Sequence, residues 1–177
     1  MTQPGRYVAP VRWLHWIMVA LIATIATLGI WITGFEPKDE AFKLRLYNIH
    51  ESLGATVFAF ALIRLLLRWR NPPPPLAPDT PPLVRLAAGS SHAALYALMI
   101  LMPAIGFLDT NAWGFPLFWF GIAPIPSPIG RQVALAPWLS WLHWIGAITL
   151  GLVVAAHLGG VAYHMLIRRD GLLRRML

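Results

Sequence analysis

Residues 137–167 read PWLSWLHWIGAITLGLVVAAHLGGVAYHMLI, without a single Asp, Glu, Lys or Arg. A helix needs about 20 mostly apolar residues to cross a bilayer, and a proline suits the first turn of such a helix. The stretch also contains His143 and His157, fourteen residues apart. It therefore predicts a membrane-spanning helix whose ionisable side chains are histidines alone.

The composition of the whole chain agrees with a membrane protein. The 177 residues are 58% hydrophobic and 12% charged, whereas soluble domains average about 25% charged residues. Such a high hydrophobic content with so few charged residues excludes an ordinary soluble globular protein. It also excludes a disordered chain, which needs high charge and low hydrophobicity. The chain has no cysteine, which excludes disulfides, cysteine-ligated metal sites and a thiol nucleophile. Its length predicts one domain over 1–177.

Three further stretches predict membrane spans, at about 12–35, 47–69 and 86–108. The second is interrupted by Glu51, Arg64 and Arg68 near its two ends, where charged side chains reach the lipid headgroups. For that stretch, a re-entrant or interfacial segment is the alternative. The first is too long for the apolar part of a signal peptide. Together with 137–167, these stretches predict an all-α integral membrane four-helix bundle.

The distribution of positive charge predicts the orientation of this bundle. Four spans put both termini and the connection at 71–82 on one side of the membrane, and that side carries ten of the fourteen Lys and Arg residues. By the positive-inside rule, both termini are expected in the cytoplasm. The same distribution explains the net charge of +7 without a nucleic-acid partner, since no base-reading motif accompanies it.

The two long connections differ in composition. The cytoplasmic link 71–82 has seven prolines in twelve residues, which predicts a semi-rigid spacer, with an SH3-type ligand as the alternative. The periplasmic loop 109–136 mixes Gly and Pro with aromatic residues, which favours a segment at the membrane interface. These aromatic residues are Trp113, Phe115, Phe118, Trp119 and Phe120.

All six histidines fall within the four apolar stretches or at their ends. Ionisable side chains are costly inside a membrane and are therefore candidates for function. The alternative for any one histidine is a hydrogen bond between helices, but six together favour a shared functional role. The six are His15, His50, His92, His143, His157 and His164.

Depth in the membrane pairs four of these histidines. His50 and His143 both lie near the outer start of a span, and His15 lies near the inner start of the first. Fourteen residues place His157 about 21 Å along the helix from His143 and about 40° around it, so a second pair with His15 is expected toward the cytoplasm. Two His–His pairs in a four-helix bundle suit two haem irons with axial imidazoles, and hence electron transfer.

Other sites fit the pattern less well. Zinc prefers three or four ligands converging on one point, and a proton relay would include mid-membrane carboxylates, which are absent. Haem also needs flat space beside its ligands, which the nearby glycines at 54, 146, 159 and 160 are expected to provide. His92 has no obvious partner at its depth.

Several short motifs together resemble the bacterial cytochrome b561 family. They are RWLHW at 12–16, HESLG at 50–54, RLLLR at 64–68, SHAALY at 91–96 and WLHW at 141–144. The resemblance extends over about 11–175 and implies a bundle with two b-type haems. On matching positions, it implies that His15 and His157 ligate the cytoplasmic-side haem. His50 and His143 would ligate the periplasmic-side haem.

Within that family the chain resembles the superoxide oxidases of bacterial inner membranes, which implies electron transfer from periplasmic superoxide to ubiquinone. The resemblance makes His164 a candidate quinone contact, with a histidine at a helix interface as the alternative. His92, at the cytoplasmic start of the third span, is expected to hydrogen-bond to a haem propionate or to pack between helices, with ligation of iron as the alternative. Arg64 and Arg68 lie at the right end of their span to pair with propionates, with snorkelling to the headgroups as the alternative. The outward cations placed to attract superoxide are Lys38, Lys43, Arg45 and Arg131. Ordinary solvated loop charge is the alternative, and Glu36, Asp39 and Glu40 weaken the positive field.

Two other functions stay open. One is an electron-transfer anchor subunit that links quinone to a separate dehydrogenase or soluble cytochrome, as related di-haem subunits of hydrogenases and formate dehydrogenases do. The other is a histidine-rich metal transporter. The expected partners are the lipid bilayer, a quinone, and either superoxide or a redox partner protein.

Overall fold

Four long helices dominate the computed structural model, which describes residues 5–35 and 37–177. They are α1 (Ala9–Phe35), α2 (Glu40–Arg70), α3 (Pro82–Trp113) and α4 (Ala136–Tyr163). A π-helix (His164–Arg168) continues α4, and a 3-10 helix (Leu172–Arg175) follows. All four helices, with the π-helix as part of the last, are long and apolar enough to cross a membrane. The predicted all-α four-helix membrane fold is confirmed; residues 1–4 of the predicted domain lie outside the described residues.

α1, α2 and α3 are longer than the apolar stretches that predicted them, whereas α4 ends at Tyr163 and the stretch 137–167 continues as the π-helix. α2 begins seven residues before 47 because the Asp39 side chain caps it, accepting a hydrogen bond of 3.0 Å from the Phe42 N–H. α3 continues past 108 to Trp113 and ends at Gly114, whose φ of 98° suits a residue without a side chain. Hydropathy marks only the part of a helix that is apolar, whereas hydrogen bonding carries the helix on to its cap. Asp109 therefore lies inside α3 and not in the loop where it was expected.

The chain runs up and down, so that the bundle has two distinct ends. We call the end with Tyr7, the link 71–81 and residues 170–177 the termini end; Tyr7 N–H donates to the Arg175 carbonyl there, at 3.1 Å. We call the opposite end the hairpin end. Helices neighbouring in sequence pack on one another, whereas α4 makes little contact with α1. The side of the bundle between α1 and α4 is therefore nearly open.

Two clusters of buried apolar residues hold the bundle together. Met18, Val57, Ala61 and Met99 join α1, α2 and α3 near mid-height. Ala112, Ala136 and Leu139 join α3 to α4 at the hairpin end. Lipid tails are as apolar as these side chains, so close van der Waals packing, and not removal of apolar area from water, holds these helices together.

A short hairpin forms in the aromatic loop, where no strand was predicted. Strand β1 (Leu117–Trp119) pairs antiparallel with β2 (Ala123–Ile125). Three hydrogen bonds attach it to α2: Asn48 Nδ2 donates to the Phe118 carbonyl (2.7 Å), Phe120 N–H to Ser52 Oγ (2.7 Å) and Trp119 Nε1 to Thr56 Oγ1 (3.1 Å). Strands of three residues are too short to show an alternating pattern in the sequence.

The proline-rich link is fastened to both of its neighbours. Arg85 donates to the carbonyls of Thr80, Ala77 and Pro78 at 3.1, 3.2 and 2.7 Å. Arg175, which is 9% exposed, donates to the Pro75 carbonyl at 2.8 Å. Two arginines that the sequence marks only as topology signals therefore also have structural contacts.

Candidate functional site

His50 and His143 meet between α2 and α4 near the hairpin end. Their ring centres are 6.2 Å apart, with the ring planes at 75°. The Nδ1 atom of each ring is buried and has no hydrogen-bond partner, and a buried polar atom without a partner costs about 1–3 kcal/mol. Imidazole nitrogens bind metals at about 2.0–2.1 Å, which separates two rings on opposite sides of one metal by about 6 Å. The pair thus has the spacing of two axial ligands.

Two glycines let the other helices approach this pair. A Cβ added at Gly106 of α3 would lie 2.9 Å from His143 Cε1, and one at Gly29 of α1 would lie 3.2 Å from His50 Cε1. All four helices therefore contribute at this level. Sequence reasoning missed both glycines, because nothing in the sequence tells which face of one helix meets a histidine on another.

The glycines predicted to leave flat space behave differently from one another. The space beside Gly146 is filled by Met102 Sδ, so that expectation is wrong. Gly54 meets only Pro103, at 4.0 Å from the position of its missing Cβ. Gly159 and Gly160 have no atom within 4 Å of theirs. Open space is therefore found at the glycines next to the predicted ligand His157, but not at Gly146, the glycine next to the predicted ligand His143.

A second group of histidines lies toward the termini end. The rings of His92 and His157 are in edge-to-face contact, with centres 5.3 Å apart, so His92 does have a partner at its depth, contrary to expectation. His15 is within electrostatic range of both. Arg68 places its guanidinium 5.7 Å from the Tyr96 ring centre, the geometry of a cation–π contact.

Arg64 holds the ring of His15. Its Nη2 lies 3.0 Å from His15 Nδ1, and its Nη1 lies 3.5 Å from the Val11 carbonyl. A guanidinium has no acceptor, so Nδ1 accepts and a neutral ring carries its proton on Nε2. A ring in that tautomer cannot ligate a metal through Nε2. Ligation by that atom requires Arg64 to release the ring.

The donor set agrees with an axial pair better than with a zinc centre. Among residues 5–35 and 37–177, no three His, Asp or Glu side chains come together in a way that could hold a metal ion. Zinc sites in proteins use three or four protein ligands, whereas haem iron takes only its axial ligands from the protein. The residues at the hairpin end therefore fit a haem with two histidine ligands.

His164 lies apart from both groups, in the π-helix at the termini end. It is 4% exposed, and its Nδ1 lies 2.6 Å from Asp170 Oδ2. Partial burial alone would raise the pKa of the Asp170 carboxyl, but hydrogen bonds from His164 and from the Leu172 N–H hold this pKa below its usual value. Sequence reasoning missed Asp170, for which the only signal is an acid among arginines beyond the last span.

Two carboxylates approach the hairpin-end pair and were also missed. Glu51, next to His50 in sequence, accepts a hydrogen bond of 2.7 Å from Thr110. Asp109 accepts one of 2.7 Å from Ser140, whose oxygen in turn accepts from Trp113 Nε1 at 3.1 Å. Asp109 lies near the end of α3, whereas Glu51 lies eleven residues from the start of α2, about 16 Å along its axis.

The four outward cations lie at the hairpin end. Lys38, Arg45 and Arg131 are exposed, and Lys43 is half-buried. The Arg131 side chain lies against Gly114, where an added Cβ would be 3.1 Å from its Cδ. Within the described part of the chain, none of the four forms an ion pair; the ion pairs there involve Asp79 and Asp170 at the termini end.

The chain matches known proteins over almost its whole length. The family model for prokaryotic cytochrome b561 matches residues 6–177. Cytochrome b561 homolog 2 of Escherichia coli (strain K12) is 29% identical over 174 residues, covering 98% of this chain and 92% of the relative. Cytochrome b561 homolog 1 of the same strain is 27% identical, covering 93% of each chain.

A third relative has a name that states an activity. A probable superoxide oxidase CybB of Yersinia pestis is 29% identical over 164 residues, covering 92% of this chain and 91% of the relative. The family match extends through all four helices and both groups of histidines. This protein therefore belongs to the prokaryotic cytochrome b561 family of bacterial membrane electron-transfer proteins, which bind b-type haem.

Proposed function

We propose that this protein is a di-haem oxidoreductase of the bacterial inner membrane that oxidises periplasmic superoxide and reduces ubiquinone. The observation that carries the proposal is the His50–His143 pair, with ring centres 6.2 Å apart and both Nδ1 atoms buried without partners. The similarity to a probable superoxide oxidase supports the choice of donor. Haem, when bound, takes up and releases one electron at a time.

The proposed ligands are His50 and His143 for a haem at the hairpin end, and His15 and His157 for one toward the termini end. For the second pair, Arg64 has to release His15 Nδ1, since it donates to that atom at 3.0 Å. A guanidinium released in this way is suited to a haem propionate, because arginine pairs strongly with carboxylates. Arg68 has the same role in the proposal, and His92, next to His157, donates to a propionate or packs between helices.

The hairpin end is proposed to face the periplasm and to receive superoxide. Oxidation of superoxide to dioxygen removes one electron and makes or breaks no covalent bond, so no catalytic acid, base or nucleophile is needed. The site has only to attract an anion. Lys38, Lys43, Arg45 and Arg131 are the positive side chains at this end. The acids Asp39, Glu40, Glu51 and Asp109 offset them, so attraction of an anion depends on where the cations lie and not on the net charge of this end.

The termini end is proposed to face the cytoplasm and to reduce ubiquinone near His164. Ten of the fourteen Lys and Arg residues lie at this end, which favours the cytoplasmic side. His164 is buried and ionisable, and a quinone needs protons as well as electrons to become a quinol. A buried imidazole is a suitable group to contact a quinone oxygen.

The proposal is tested on protein purified in detergent. Haem is counted per chain, and superoxide is then mixed with the oxidised protein in the absence of any partner, with a superoxide dismutase control that removes the donor. We expect two haems per chain, haem reduction that the dismutase abolishes, and reoxidation on anaerobic addition of a short-chain ubiquinone.

Two other outcomes contradict the proposal in different ways. One haem or none per chain excludes the paired-ligand assignment. The second outcome is that superoxide does not reduce the haem, whereas a dehydrogenase or a soluble cytochrome exchanges electrons with it promptly. This outcome favours an electron-transfer anchor subunit.

A further inference from the structure

The chain reverses direction just after the π-helix and brings an acid back to His164. Arg169 and Gly171 both have positive φ, at 52° and 73°. The left-handed region costs a residue with a side chain about 1–2 kcal/mol, so Arg169 is held there by its surroundings; its Nε donates to the Leu166 carbonyl at 3.2 Å. The consequence of the turn is that Asp170 lies next to a histidine six residues earlier.

Each oxygen of Asp170 is engaged. Oδ2 lies 2.6 Å from His164 Nδ1 and accepts from Arg168 Nε at 3.3 Å, and Oδ1 accepts from the Leu172 N–H at 3.1 Å. Arg168 also forms an ion pair with Asp79 at 2.9 Å. The side-chain exposure is 78% at Asp79, 13% at Arg168, 19% at Asp170 and 5% at His164. Polar groups therefore connect a buried imidazole with the solvent.

An ionised carboxylate only accepts hydrogen bonds, so His164 donates through Nδ1–H. The second ring nitrogen, Nε2, is then the atom that gains or loses a proton. The carboxylate also fixes the orientation of the ring, as it does for the histidine of a catalytic triad. The Tyr163 ring, with its centre 5.6 Å from that of His164, is the other titratable neighbour described.

From this geometry we infer that Asp170 is a positioning residue that makes His164 a proton donor to ubiquinone, an inference that rests on the proposed reduction of ubiquinone. Reduction of a quinone to a quinol adds two electrons, supplied by the electron transfer of the family, and two protons. One proton leaves Nε2 of the His164 imidazolium: its N–H bond breaks and an O–H bond forms on a quinone oxygen. Water on the cytoplasmic side returns a proton to Nε2 and supplies the second proton, which forms the O–H bond on the other quinone oxygen.

The test is Asp170→Asn in the haem-loaded full chain, with Asp79→Asn as the matched control. The control removes the exposed partner of Arg168 and leaves the contact between His164 and Asp170. In Asp170→Asn we expect unchanged haem content, unchanged haem reduction and ubiquinone-dependent reoxidation at least about tenfold slower, because a positioned general acid contributes about 10²–10⁴ in rate. A solvent deuterium isotope effect on reoxidation is expected in the natural chain.

A spectroscopic measurement gives a readout that does not depend on turnover. Histidine labelled with ¹⁵N in the reduced protein reports which ring nitrogen carries the proton, and His164→Gln identifies the resonances. We expect His164 with a protonated Nδ1 and a far-downfield Nδ1–H proton signal, which is lost in Asp170→Asn and kept in Asp79→Asn. If the spectrum of the natural chain shows that His164 carries its proton on Nε2 alone, the inference is overturned, and no variant at Asp170 is needed to show this.

The kinetic outcomes separate this inference from the function on which it rests. Equal reoxidation rates for Asp170→Asn and the natural chain overturn the inference and leave the proposed function standing. If ubiquinone does not reoxidise the natural chain at all, the proposed acceptor is wrong and the inference falls with it.

Discussion

One added methyl group at Gly106 would meet His143, because the missing Cβ position lies 2.9 Å from His143 Cε1. We predict that Gly106→Ala destabilises the protein by about 1–3 kcal/mol, as overpacking in interiors does, and lowers its haem content. Gly89→Ala in the same helix has no atom within 4 Å of the new group. It is expected to be neutral or stabilising by up to about 1 kcal/mol, since alanine favours helices.

The two variants are compared by thermal unfolding and by haem per chain. If Gly106→Ala lowers stability and Gly89→Ala does not, contact with His143, and not helix propensity, determines the effect of the added methyl group. Equal haem content in both contradicts the close approach of α3 to His143.

The proposed ligands predict that the two haems are lost separately. His50→Ala or His143→Ala should remove the haem at the hairpin end and leave the other. His15→Ala or His157→Ala should do the reverse, because the two levels are about 21 Å apart along α4 and each iron has its own pair. Reduced-minus-oxidised spectra with haem counted per chain check this. Loss of both haems from every variant contradicts independent sites.

At the level of elements, a buried hydroxyl makes one of the three hydrogen bonds between the hairpin and α2. Ser52 is fully buried; its Oγ accepts from the Phe120 N–H at 2.7 Å and donates to the Asn48 carbonyl at 2.6 Å. Ser52→Ala leaves the Phe120 N–H without this partner, which we expect to cost about 1–3 kcal/mol. The hairpin should then detach from α2 more often and be cleaved faster by protease.

Thr24→Ala is the control for that experiment. The Thr24 hydroxyl bonds only to the Ala20 carbonyl of its own helix, at 2.9 Å, so its loss should leave the hairpin unchanged. If both variants are cleaved between 117 and 125 at the rate of the natural chain, Ser52 does not hold the hairpin on α2.

The termini end shows how elements far apart in sequence stabilise each other. Trp16 Nε1 donates to the Met176 carbonyl at 2.8 Å, and Arg12 Nη1 donates to the Leu177 carbonyl. Residues 171–177 thus pack against the start of α1 and, through Arg175, against the proline link. This contact joins the two termini on the side where α1 and α4 have little helix packing between them.

For the whole molecule, the position of the cations at the hairpin end predicts how the donor is received. If superoxide is the donor, raised salt should slow haem reduction, because charges are screened over about 8 Å at physiological ionic strength. Reversing Lys43, Arg45 and Arg131 together to Glu should slow it further and leave haem content unchanged. Stopped-flow absorbance measures both effects.

An uncharged hydroquinone reductant serves as the control for charge. Its rate should respond little to salt or to the three substitutions. If the rate of haem reduction by superoxide also responds little to salt and to the three substitutions, electrostatic attraction at the hairpin end is contradicted. Glu51 and Asp109, close to the His50–His143 pair, are then the groups that oppose the anion.

The sequence by itself determined the four-helix membrane fold and the family. Apolar length reports on spans directly, since every backbone polar group in lipid must be bonded within a helix or a closed barrel. The spacing of His143 and His157 needs no tertiary information either, because one continuous helix sets both their separation and their direction. The assignment of His15 with His157 and of His50 with His143 as haem ligands is a prediction from the sequence and stays a prediction.

Only the tertiary structure decided which side chains from different helices meet. The contact of His92 with His157, the hold of Arg64 on His15 and the approach of Gly106 to His143 all depend on how the helices are rotated and packed. Asp170 reaches His164 because two residues with positive φ reverse the chain. A sequence records the residues along each helix, but contacts between helices follow from the packing of whole surfaces, which no short motif encodes.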